Sequence, residues 1–121
     1  MKFINRSVLV IKPKQPYLDW TGRVSPDGIR LKPEDVQQDC TTYLLSEPLD
    51  RRQLGSFLQT HYSILFEHEL RSWEPNEGKW PTDRSYESFR QWFDVELHSA
   101  VIDMLDPQPL QPATHNSQLK K

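Results

Sequence analysis

The sequence predicts an α+β fold, a single domain in which a small, mainly antiparallel sheet of three or four strands is covered by one long and one shorter helix. Three observations predict it. Residues 51–73 carry apolar side chains at helical spacing, segments 7–12 and 40–46 are rich in β-branched and aromatic residues, and the apolar pattern changes from helical to alternating at Phe93. Helices that pack on one face of an antiparallel sheet form an α+β domain.

Length and composition indicate a folded body with a polar end. The chain has 121 residues, of which 36% are hydrophobic and 26% are charged, and this length suits one domain. We assign that domain to residues 1–106. The Pro-rich, polar segment 107–121 is expected to be a disordered tail.

Charge and cysteine content narrow the classes of function. The net charge is -2 and the basic residues are scattered, so nucleic-acid binding is not expected. Cys40 is the only cysteine, which suits a reducing compartment. The apolar run near the N-terminus is too short for a signal sequence or a membrane span. We therefore expect a cytoplasmic protein with no membrane segment, and we predict no cofactor.

The first half of the chain supplies two strands and two short helical segments. Segment 7–12 is a continuous apolar run, which predicts a first strand covered on both faces. One helical turn is expected at 17–20, entered through Pro16, and a short helix is expected after Pro33. Segment 40–46 is predicted to form the second strand.

The longest helical pattern runs over residues 51–73. Asp50 is the expected N-cap, because its side chain can accept a hydrogen bond from the first turn. The predicted apolar stripe comprises Leu54, Phe57, Leu58, His61 and Leu65. This helix is the natural cover for the sheet.

The last part of the body is predicted to be a loop, a helix and a strand. Loop 74–83 carries Trp80 and is expected to be ordered and packed on the body. A helix at 85–92 then leads into a strand at 93–103, with Phe93 and Leu97 on one face. In the alternative, 85–105 is a single helix and the protein is all-helical.

The opposite face of that last strand is the first candidate for chemistry. Asp94, Glu96 and His98 share it, and adjacent carboxylate and imidazole groups can act as acid and base or bind a metal. If the long helix packs across this face, Glu67, His68 or Glu69 could join them. The candidate catalytic residues are therefore Glu67, Glu69, Asp94, Glu96 and His98, and the candidate metal ligands are His68, Glu96 and His98. The other interpretation is an exposed face whose acids pair with Lys12 or Lys14.

Four tryptophans form the second candidate. Trp20, Trp73, Trp80 and Trp92 either close the ends of the small core or line a docking surface or a ligand pocket. The sequence leaves all three interpretations open.

Four further segments of the sequence are VIKPKQPYLDW at 10–20, FEHEL at 66–70, the Trp80-Pro81 pair and WFDVE at 92–96. Together they resemble segments of a group of small uncharacterised bacterial proteins. The resemblance spans roughly residues 8–104. It implies a bacterial cytosolic protein and brings no activity or site residue.

No catalytic motif is recognisable, so the sequence leaves open whether the protein is an enzyme. We expect a small interaction or regulatory module that acts by contacts with a protein partner or a second copy. The alternative is a metal-binding protein or hydrolase-type enzyme that uses the Asp/Glu/His cluster.

Overall fold

The computed structural model describes residues 1–29, 31–37, 40–105 and 109–113. Within these residues it confirms the α+β class, with four α-helices and two small antiparallel sheets. The elements are β1 (Lys2–Phe3), β2 (Val8–Pro13), α1 (Gln15–Val24), α2 (Pro33–Gln37), β3 (Thr41–Leu44), α3 (Arg51–Trp73), a 3-10 turn (Glu77–Lys79), α4 (Tyr86–Trp92), β4 (Phe93–His98) and β5 (Ile102–Asp103). Of the predicted tail 107–121, only 109–113 are described, and the rest lies outside the described residues.

The main sheet has three antiparallel strands in the order β3-β2-β4. Leu9 on the central strand lies opposite Tyr43 on β3 and Leu97 on β4. The next residue, Val10, lies opposite Thr42 and Glu96. Because neighbouring residues of a strand face opposite ways, Tyr43 shares the inner face with Leu9, while Glu96 shares the outer face with Val10.

The inner face of the sheet carries the buried core. Leu9, Ile11 and Phe93 are almost fully buried there, whereas Val8 and Val10 on the outer face are only partly buried. The predicted cover on both faces of β2 is therefore wrong. A run of β-branched residues also occurs on a half-exposed strand, since these side chains suit a pleated surface.

Helix α3 has the bounds that the sequence predicts, and its start is confirmed in detail. The Asp50 carboxylate accepts a hydrogen bond from the Gln53 N–H at 3.0 Å, and the Gln53 side chain accepts one from the Asp50 N–H at 3.0 Å. This reciprocal capping box satisfies two N–H groups that the helix leaves unpaired.

The buried stripe of α3 differs from the predicted one toward the C-terminal end. Its fully buried members are Leu58, Leu65, Phe66, Glu69 and Leu70. His61, which was placed on the stripe, is exposed. The stripe shifts because Phe66 enters the aromatic core, where its ring centroid lies 5.8 Å from Phe89 and 5.6 Å from both Trp92 and Phe93.

The switch from helix to strand at Phe93 is confirmed, and the all-helical alternative is wrong. Helix α4 starts at the Ser85 cap and ends at Trp92, and β4 follows at once. Helix α1 is longer than the single predicted turn. It spans ten residues, since Pro16 fits the first turn and Tyr17, Leu18 and Trp20 form a buried side.

Loop 74–83 is packed on the body, as predicted. The Trp80 indole is buried and donates a hydrogen bond to the Glu74 carbonyl at 2.7 Å. The Trp20 indole donates to the Lys79 carbonyl at 3.0 Å. The Trp20 indole thus ties the loop to α1, and the Trp80 indole closes the loop on itself.

A separate two-stranded ribbon interrupts the predicted strand 93–103. Strand β4 ends at His98, and β5 pairs with β1, which the sequence did not predict. The residues between β1 and β2 are tied to the segment that follows β3. The Arg6 side chain donates to the Leu45 carbonyl at 2.7 Å, and the Ser7 hydroxyl accepts from the Leu49 N–H at 2.9 Å.

Across the described ranges, no helix combines the length and apolar character needed to cross a membrane.

Candidate functional site

The predicted acidic residues lie on opposite faces of the sheet. Glu69 extends from α3 toward the inner face and meets Tyr43, while Glu96 lies on the outer face. The long helix therefore does not pack across the Asp94, Glu96 and His98 face, and the two groups do not converge.

On the outer face, the carboxylates pair with lysines. The Lys12 ammonium lies 2.7 Å from a Glu96 carboxylate oxygen, and the Lys14 ammonium lies 3.7 Å from Asp94. His98 Nε2 lies 3.3 Å from the other Glu96 oxygen. Hydrogen bonds from Lys12 and then from His98 lower the pKa of Glu96, and the hydrogen bond and charge of Glu96 raise the pKa of Lys12. This is the paired, exposed arrangement that the sequence left open as an alternative.

On the inner face, Glu69, Tyr43 and His68 form a hydrogen-bonded chain, which we call the Glu69 cluster. The Tyr43 hydroxyl donates to Glu69 Oε2 at 2.5 Å and lies 2.8 Å from His68 Nδ1. With Nδ1–H as the donor, the order is His68 to Tyr43 to Glu69. Glu69 is only 4% exposed, so the buried carboxylate is held by one neutral donor.

The pKa values follow from this chain. Burial, followed by the charge of Glu69 and its hydrogen bond, raises the pKa of the Tyr43 phenol, so it stays a donor at neutral pH. Hydrogen bonding toward Glu69 raises the pKa of His68, with a further rise from the carboxylate charge and an opposing effect of partial burial. His68 Nδ1 lies 4.0 Å from Glu69 Oε2, too far for a direct bond, so Tyr43 carries the link.

The backbone at Glu69 is fixed as firmly as its side chain. Its carbonyl accepts hydrogen bonds from the Tyr17 hydroxyl at 3.0 Å and from the Ser72 hydroxyl at 2.8 Å. Burial, with the nearby Glu69 charge, raises the pKa of Tyr17. Helices α1 and α3 are thereby joined at the residue that carries the buried carboxylate.

A cavity of about 630 Å³ opens beside the Glu69 cluster. Its walls come from the ends of α1, β2 and α3, from α2 and from the start of β3. The lining residues in the argument below are Tyr17, Leu31, Val36, Glu69, Trp73 and Glu74. A wider hollow of about 800 Å³ lies between the start of α3 and the end of β4, but Asp50 there already caps α3 and lies 3.5 Å from Arg52.

The tryptophans divide between the core and the cavity. Trp20, Trp80 and Trp92 are buried, so they close the core in this conformation. Trp73 is 40% exposed and lines the cavity. Glu67, another sequence candidate, lies outside the Glu69 cluster and accepts a hydrogen bond from Ser63 at 3.4 Å.

Sequence reasoning missed Tyr43 and Ser72. The sequence did contain a signal for Tyr43. Glu69 falls on the same helical stripe as Leu58 and Leu65, and this position predicts a buried carboxylate that needs a hydrogen-bond donor. Tyr43 stands on the predicted second strand, one of the few places from which a hydroxyl could reach it.

An apolar surface lies on the ribbon formed by β1 and β5, which we call the ribbon surface. Phe3 and Ile102 are directly paired, so they share one face, and they are 72% and 47% exposed. Met104 and Leu105 follow directly and are also exposed.

Among the residues that the structure describes, no group of three or more His, Cys, Asp or Glu side chains could hold a metal ion. Comparison of the chain with protein-family models, with curated proteins and with solved structures found no match.

Proposed function

We propose that this protein is a small interaction module that acts by protein contacts, and that the ribbon surface is where it binds. The observation that carries the proposal is the pairing of Phe3 with Ile102 on one exposed face. Single exposed apolar residues are ordinary on a protein surface. A contiguous group of them marks a contact site.

The ribbon also has a structural reason to bind. It is two strands wide and each strand is two residues long, and an isolated two-stranded ribbon is only marginally stable in water. Burial of its apolar face against another surface would stabilise it. The Ile4 N–H donates to the Val101 carbonyl at 2.9 Å and extends the pairing by one residue.

The partner that we propose is a second copy of this chain. A twofold axis places the same patch on both sides of a contact, so that an apolar face meets an equal apolar face. In this arrangement the two ribbons pack face to face, and Phe3 and Ile102 of one copy pack against the same residues of the other.

Sedimentation equilibrium of the full chain over a wide concentration range tests this proposal. The wild type is expected to be dimeric, and Phe3→Ser is expected to be monomeric with an unchanged far-UV circular dichroism spectrum, since Phe3 is 72% exposed in the monomer. Ile64→Ser is the matched control, because Ile64 is 70% exposed on α3; this variant should remain dimeric. A wild type that stays monomeric throughout, or a Phe3→Ser variant that dimerises as the wild type does, would overturn the proposal.

A further inference from the structure

We propose that the cavity beside the Glu69 cluster is a binding site for a small organic cation, an amine that carries an apolar group. This site is independent of the ribbon surface. Its volume of about 630 Å³ lies in the usual range for small-molecule sites.

The first argument is the open oxygen of the buried carboxylate. Glu69 Oε2 accepts the Tyr43 hydroxyl, whereas Oε1 accepts no hydrogen bond from a described residue. Every fully buried side-chain oxygen or nitrogen in the described ranges has a hydrogen-bond partner. Oε1 must therefore keep contact with solvent, and Glu69 lines the cavity. A carboxylate has about four acceptor positions, and Tyr43 is the one described donor to that of Glu69, so Glu69 can accept a hydrogen bond from a further donor.

The second argument is the sign of the charge around the cavity. The charged side chains among its described lining residues are Asp35, Glu69 and Glu74, and none of these residues is basic. Glu74 already has Lys79 at 4.0 Å and accepts a hydrogen bond from the Asn76 N–H at 3.0 Å. Glu69 has His68 Nδ1 at the same distance of 4.0 Å, with Tyr43 hydrogen-bonded to both side chains. A cationic donor would therefore be attracted and an anion repelled.

The third argument is the chemistry of the remaining walls. Leu31 and Val36 supply apolar surface, and Tyr17 and Trp73 supply aromatic side chains. Aromatic rings favour a cation near their faces, and the aliphatic side chains suit a hydrocarbon or ring substituent. Together these walls select an amine with an apolar body over a bare inorganic cation.

Isothermal titration calorimetry of the full chain with matched probes tests the ligand class. The probes are phenethylamine and hexylamine, with phenethyl alcohol as the neutral counterpart and phenylacetate as the anionic one. We expect at least one amine to bind, and the neutral alcohol to bind roughly tenfold more weakly, a difference of about 1.4 kcal/mol, because the alcohol cannot form a charge-assisted hydrogen bond with Glu69. No binding of either amine, or phenylacetate binding as tightly as the amines, would overturn the proposal.

Two carboxylate variants locate the site. Glu69→Gln keeps the shape and an acceptor for Tyr43 but removes the charge, and it should weaken amine binding about tenfold. Glu96→Gln makes the same chemical change on the opposite face of the sheet and should leave the affinity unchanged. Equal affinities for Glu69→Gln and the wild type, or an equal loss in both variants, would overturn the assignment.

A third variant keeps the test decisive if Glu69→Gln does not fold. Val36→Phe adds a ring to the cavity wall at a partly buried position of α2, and it should abolish amine binding. If this variant is folded by circular dichroism and still binds amine with wild-type affinity, the cavity is not the site.

Discussion

Two glutamates of this protein each stand near a histidine, but on opposite faces of the sheet. The Glu69 side chain is 5% exposed and that of Glu96 is 44% exposed, while His68 and His98 are 57% and 55% exposed. The histidines thus occupy similar environments, and the difference lies in the carboxylates. Glu96 contacts the Lys12 ammonium directly, whereas Glu69 is held by the neutral Tyr43 hydroxyl.

The comparison shows that Glu69, which has no lysine partner, is the carboxylate whose loss should affect stability more. The charges of an exposed ion pair are well solvated whether or not they are paired, and salt screens their attraction. Such a pair therefore adds little stability. A buried carboxylate has lost its water, so each remaining hydrogen bond carries more weight and an open acceptor position is available to a ligand. The two glutamates should therefore respond very differently to the same substitutions.

The largest difference is expected for substitution by alanine. Glu69→Ala leaves the Tyr43 hydroxyl without its acceptor and removes a packed side chain, so the free energy of unfolding should fall by about 1–3 kcal/mol. Glu96→Ala should change it little, because the Lys12 ammonium stays in water. Urea denaturation of both variants measures the contrast. Equal losses would mean that burial does not distinguish the two carboxylates.

A smaller effect is expected for Tyr43→Phe, which keeps the ring and removes the hydroxyl. The free energy of unfolding should fall by about 1 kcal/mol, and the pKa of His68 should drop toward its ordinary value. Chemical denaturation and an NMR titration of the His68 ring measure the two effects. Tyr62→Phe is the matched control on α3, since the Tyr62 hydroxyl has no hydrogen bond to a described residue. It should change neither the free energy of unfolding nor the pKa of His68.

The same variant changes the dependence of stability on pH. Because the pKa of His68 is higher in the folded protein, its protonation stabilises the fold below the ordinary histidine pKa of about 6.5. This contribution is lost as the pH rises through the raised value. Tyr43→Phe should flatten that part of the profile. An unchanged profile would show that Tyr43 does not link His68 to Glu69.

The smallest effect is expected for Lys12→Met on the outer face. Loss of the ammonium should return the pKa of Glu96 toward its usual range. The lowered pKa of Glu96 stabilises the folded state above the unfolded value, and that contribution disappears as the pH falls through the folded value. Melting temperatures at neutral and acidic pH should therefore differ slightly less in Lys12→Met than in the wild type. A fall in the free energy of unfolding as large as that expected for Glu69→Ala would contradict the comparison.

Much of the fold could be predicted because it is encoded locally. The bounds of α3 follow from its helical pattern and from Asp50, and the change of period at Phe93 marks the boundary between α4 and β4. These signals lie within a few residues of the structures that they specify. The strands of the ribbon could not be predicted in this way, because two residues show no period and β1 forms only by pairing with β5 about a hundred positions away.

The candidate site was predicted less well, for a physical reason. Sequence patterns show which residues of a strand share a face, and they placed Asp94, Glu96 and His98 together. They do not show which face of the sheet a helix will cover. Tyr43 and Glu69 come from different elements and meet only because α3 packs on the inner face.

The unequal burial of the four tryptophans has a consequence for spectroscopy. Trp20, Trp80 and Trp92 are shielded, so a soluble quencher such as acrylamide should reach Trp73 in preference to the others. Trp73 also lines the cavity. The intrinsic emission of the unmodified protein therefore contains one component that responds to whatever occupies that space, with no label attached.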